Sequence, residues 1–111
     1  MSHEIDSIPR AFASINRALR IAGPRADLLA IKGMVYDYAG HPEEGVDLLQ
    51  AAAATIHSDP KHQFYYALVL TRLHELDQAK IIWHRLDRDD LASRLDADEQ
   101  NQLLELQQAL Q

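Results

Sequence analysis

The sequence contains no cysteine. That excludes a disulfide framework and thiolate chemistry, and it suits a reducing compartment. Basic residues are outnumbered, with 11 Lys and Arg against 17 Asp and Glu. A nucleic-acid surface needs an excess of Lys and Arg to neutralise phosphates, so no nucleic-acid partner is expected. No apolar run of about 18 residues occurs, so no membrane-spanning helix is expected. The opening Met1-Ser2-His3-Glu4-Ile5-Asp6 lacks the basic start and apolar stretch of a secretory leader, which makes a cytoplasmic location the expectation. Strand-like alternation is absent. So are a Gly-rich phosphate loop, a GxSxG elbow and an HExxH helix, and the chain is not expected to be an enzyme or to carry a cofactor.

What is present is the composition of a folded, soluble protein: 47% apolar and 25% charged residues in 111, enough for one domain with a modest core. The net charge of −6 is uneven. Residues 87–111 hold seven acids (Asp87, Asp89, Asp90, Asp96, Asp98, Glu99, Glu105) against Arg88 and Arg94, and so carry five of the six charges. Such a run reads as a solvated capping surface.

Apolar residues recur at helical spacing along nearly the whole chain, between clear breaks. Gly23-Pro24 ends one segment, Gly40-His41-Pro42 a second, and Asp59-Pro60 provides an N-cap followed by a first helical residue. His74-Glu75-Leu76-Asp77 is a weaker break, and Asp96-Ala97-Asp98-Glu99 has the form of a capping box. The spacing predicts six helices, near 7–22, 25–39, 42–56, 60–74, 77–87 and 97–110, with a possible short turn of helix in 88–96. Short loops require consecutive helices to be antiparallel.

A period of 34 residues runs through the middle of the chain. Gly33-Met34-Val35-Tyr36 matches Ala67-Leu68-Val69-Leu70, and Gly40 through Gly45 matches His74 through Ala79. Leu49 then matches Trp83. One period upstream, Ala11, Ile15 and Ala18 align with Gly45, Leu49 and Ala52. Small residues at 33, 67, 45 and 79 allow paired helices to cross closely. The period, the large-small-aromatic face of Leu29, Gly33 and Tyr36, and the turn at Gly40 resemble the tetratricopeptide repeat (TPR) family. The resemblance implies an all-α fold, a short right-handed superhelix of antiparallel helix hairpins in a single domain. It comprises a half repeat at 7–22, repeats at 26–59 and 60–93, and a capping helix at 97–110 with Leu103, Leu104, Leu106 and Leu110 facing inward.

The resemblance also implies function. First helices of such repeats line a concave groove that binds another protein or a peptide, so the chain is expected to be an adaptor or scaffold. On the family's groove-facing positions stand Asp27, Ala30, Met34, Asp37 and Tyr38, then Lys61, Phe64, Leu68, Thr71 and Arg72. With only Lys61 and Arg72 basic, this face does not suit an acidic C-terminal tail. Ile8, Phe12, Ile15 and Leu19 form an apolar stripe on a helix without its partner, which makes them candidates for self-association into an oligomer. The small size suits a bacterial protein. Two other readings remain open: a small secretion-type TPR chaperone, and a structural subunit that assembles with itself. His57 and His62, with Asp59 between them, are too few and too scattered to predict a metal site.

Overall fold

Each sequence break falls at a junction between two helices. The computed structural model describes residues 3–55 and 58–110, with side chains from residue 7 onward. Among these residues there are seven helices and no strand: α1 (His3–Ala22), α2 (Ala26–Tyr38), α3 (Pro42–Ala53), α4 (Pro60–Arg72), α5 (Leu76–Arg85), α6 (Arg88–Arg94) and α7 (Ala97–Ala109). The all-α expectation holds. The helix count rises by one because 88–94 forms a full short helix, capped by the Asp87 side chain, which accepts from the Asp90 N–H at 3.1 Å. The chain is also helical one turn earlier than expected, from His3, with Pro9 inside α1.

The caps read from the sequence are in place. The Asp59 carboxylate accepts from Lys61 N–H at 2.9 Å, with Pro60 as the first residue of α4. Asp96 and Glu99 form the reciprocal box, with Glu99 N–H to Asp96 Oδ1 at 2.8 Å and Asp96 N–H to Glu99 Oε1 at 3.2 Å. Each such cap satisfies amide groups that the first turn of a helix leaves orphaned.

The 34-residue period is also a structural period. At the end of α2, Gly40 N–H bonds Asp37 C=O and His41 N–H bonds Tyr36 C=O. At the end of α4, His74 N–H bonds Thr71 C=O and Glu75 N–H bonds Leu70 C=O. These are two copies of one Schellman motif, offset by the same 34 positions. The motif needs a left-handed residue, which is Gly40 at φ 88° in the first copy and His74 at φ 62° in the second. A side chain in that region costs about 1–2 kcal/mol. Glycine there loses about 0.4–1 kcal/mol through the freer unfolded chain. His74→Gly is therefore expected to stabilise the fold by about 0.5–1 kcal/mol, read as a higher urea midpoint. An unchanged or lower midpoint would contradict this account of the turn.

Helix α4 is the centre of the fold, touching α2, α3, α5, α6 and α7. Its Phe64, Ala67, Leu68, Val69 and Leu70 are all buried. On one side Val69 joins Ala30, Leu49 and Ala52. On the other, Phe64 and Leu68 meet Trp83, Leu91, Leu95, Leu106 and Leu110. Helix α7 lies against α4, where a following first helix would lie, displaced to an offset of 37 residues (97 against 60) by the interposed α6. Leu106 and Leu110 of its inward face are buried and Leu103 is partly so, but Leu104 is 55% exposed. The expectation that Leu104 faces inward is corrected: 103, 106 and 110 share a helical face, and 104 lies about 100° beyond it.

Candidate functional site

A groove of about 600 Å³ opens between α1, α2, α4 and α7. Ile8 and Ala11 of α1 and Ile31, Met34 and Val35 of α2 make an apolar wall. Tyr65 and Arg72 of α4 with Glu99 and Gln102 of α7 make a polar one, and Asp37 and Tyr38 complete the lining beside Ser7. Ile31, Val35 and Tyr38 share one face of α2, and Ile31 and Tyr38 are 51% and 61% exposed. Exposed residues of that size on one rim are apolar area available to a partner.

Two charge pairs shape the polar side. Arg72 Nη1 donates to Asp37 Oδ2, tying α4 to α2. The Asp37 side chain is 2% exposed and that of Arg72 32%. Asp37 Oδ1 is buried without a hydrogen-bond partner among the described residues. Removing Arg72 would strand the buried carboxylate. The second pair centres on Glu99, whose Oε2 accepts from the Tyr65 hydroxyl and whose Oε1 lies 3.5 Å from Lys61 Nζ. Lys61 also sits 5.9 Å from the Tyr65 ring centroid. Glu99 thus caps its own helix and fastens that helix to α4.

Burial, and then the hydrogen bond to Glu99 and its charge, push the Tyr65 hydroxyl well above the ordinary phenol value of 10.0. The unfolded chain ionises this tyrosine near that value while the folded chain keeps the proton. The unfolded state therefore binds fewer protons at high pH, and stability is full below about pH 10 and falls above it. Tyr65→Phe is expected to flatten that alkaline decline, measured by urea unfolding from about pH 8 to about pH 11. Equal slopes for the two proteins would remove Tyr65 as the cause.

Of the residues expected on the groove, Met34, Asp37, Tyr38 and Arg72 do line it. Asp27 stands at the start of α2, paired with Arg25 at 3.3 Å. Lys61 lies behind Glu99 rather than on the lining. The Thr71 hydroxyl donates to Ala67 C=O of its own helix at 2.9 Å. Ala30, Phe64 and Leu68 are at most 1% exposed, so they are core residues that a partner does not touch. The stripe on α1 is placed differently too. Ile15 is buried, Phe12 meets Tyr36 edge-on at 4.7 Å, and Leu19 is half-buried. Ile8 alone of that set lines the groove. The α1 stripe is therefore largely covered by its own chain.

Ser7, Ala11, Ile31, Val35, Tyr65, Glu99 and Gln102 also line the groove and are not among the residues that the repeat register assigns to a binding surface. Ile31 was available, being three residues before Met34 and seven before Tyr38 on the same face. The α7 residues were not, because a capping helix carries no local sign that it walls a groove. His41, Glu43 and Glu44 bring ligand-type atoms within 4.8 Å of one another, all exposed. Acids at the start of α3 are explained by the helix dipole and by His41 Nδ1 lying 3.4 Å from Glu44. His57 lies outside the described residues. His62 Nδ1 is buried with no partner among them.

Comparison of the chain with protein-family models, curated proteins and solved structures finds no match. No described helix is long and apolar enough to cross a membrane.

Proposed function

We propose that this chain is a TPR-like protein-interaction module of the adaptor or scaffold kind, and that it binds a segment of another polypeptide in the groove between α1, α2, α4 and α7. The observation that carries this reading is the pairing of an open apolar wall, rimmed by Ile31 and Tyr38, with a polar wall fixed by two charge pairs. Apolar anchors supply affinity, and preorganised polar groups supply register. The structural period of 34 residues supports the TPR-like reading. The self-assembly alternative is weakened, since Phe12 and Ile15 pack against the rest of the chain.

The test compares native-source proteins captured by the wild type with those captured by Ile31→Asp, whose position is half exposed. A partner held only by the wild type, and again by the two purified proteins mixed, supports the module. Identical capture by both, or self-association as the sole association at micromolar concentration, overturns it.

A further inference from the structure

We propose that the groove's occupant is a short, extended, uncharged polypeptide segment held by its main chain; this rests on the interaction-module reading above. The charges decide what kind of segment fits. Both acids that the described residues place on the lining are matched, Asp37 by Arg72 and Glu99 by Lys61. Among the described residues, the groove thus presents no unbalanced charge that calls for a basic or acidic ligand.

Uncommitted hydrogen-bonding groups remain. Gln102 is a partly buried residue of the lining, and its side-chain amide has no partner among the described residues. Arg72 spends a single N–H group on Asp37 and is a third exposed, so its other donors stay available. A primary amide offers one donor edge and one acceptor, the complement of a peptide unit's C=O and N–H. A helical ligand has already used those main-chain groups internally, whereas an extended one presents them. Opposite, Ile31, Met34 and Val35 receive an apolar side chain. The volume of about 600 Å³ accommodates a few residues rather than a whole helix.

The experiment selects binders to the full chain from a display library of random short peptides. It then measures Kd by fluorescence anisotropy for the best peptide and for analogues N-methylated at each main-chain amide. The proteins are the wild type, Gln102→Ala and Ile31→Asp, each checked by thermal melting; alanine keeps the helix at 102. The proposal expects uncharged, apolar-rich peptides, and a Kd weakened about 5-fold to 10-fold by Gln102→Ala. One N-methylation should weaken wild-type binding by a similar factor and add nothing in Gln102→Ala. If Gln102→Ala and every N-methyl analogue bind like the parent while Ile31→Asp abolishes binding, main-chain recognition is overturned and the module stands. Peptides that are highly charged, or that become helical when bound, also overturn it. A library that yields no binder overturns both readings.

Discussion

Gly45→Ala is expected to destabilise the protein by about 2–4 kcal/mol, although alanine is the better helix former by about 1 kcal/mol. A methyl group at Gly45 would fall inside the contact distance of the Gly33 carbonyl oxygen and 3.2 Å from Tyr36 Cβ. The neighbour is backbone in the middle of α2, which cannot swing aside as a side-chain end can. Gly33 is constrained from the other direction, since a methyl there would lie 2.7 Å from Leu49 Cγ and 3.0 Å from the Gly45 carbonyl oxygen. The α2–α3 crossing therefore rests on two facing glycines. Their counterparts in the next hairpin, Ala67 and Ala79, are both fully buried with their methyl groups in place, so α4 and α5 meet with room for a Cβ on each side. Gly45→Ala must open the first hairpin toward the geometry of the second and disturb Leu49 and Ala52 beneath it. Thermal unfolding should show a drop of about 10 °C or more. Ala79→Gly is the matched control, costing only about 1 kcal/mol. Similar small losses at both positions would mean that the two crossings are equally wide.

The contrast shows how far the sequence could be read. The 34-residue offset, the turn at Gly40, and the caps at Asp59 and Asp96 are legible from residue type, whereas the left-handed His74 that closes the second turn is not. Helix α6 is legible only as a short turn of helix within 88–96, because seven residues with one buried leucine at 91 carry no periodicity that sets its bounds. Depth was the larger difficulty. Spacing says that Phe64, Leu68 and Arg72 share a face of α4. It does not say that α6 and α7 cover the first two while the last stays partly open. Where the capping helix sits is a tertiary matter, so the wall that Glu99 and Gln102 contribute to the groove had no local signature.

Phe64→Ala is the second large effect, expected to cost about 3–5 kcal/mol. The ring is fully buried among Leu68, Trp83, Leu91, Leu95, Leu106 and Leu110, and it packs 5.6 Å from Tyr65, centroid to centroid. Truncation forfeits the transfer free energy of the ring and leaves a cavity where α4, α6 and α7 converge. A domain of this size has roughly 5–15 kcal/mol in all, so the variant should melt far earlier and populate unfolded chain at moderate temperature. Circular dichroism melting checks this; a midpoint within a few degrees of wild type would place the ring outside the core. The consequence for function is direct. Phe64 stands on a face that spacing alone assigns to a groove, so loss of partner binding in Phe64→Ala would look like a binding defect. In this structure it reports unfolding. Ile31→Asp and Tyr38→Ala alter the groove at exposed positions and should leave the melt within about 1 kcal/mol of wild type. A partner lost from those two variants, with the melt intact, is lost at the groove itself.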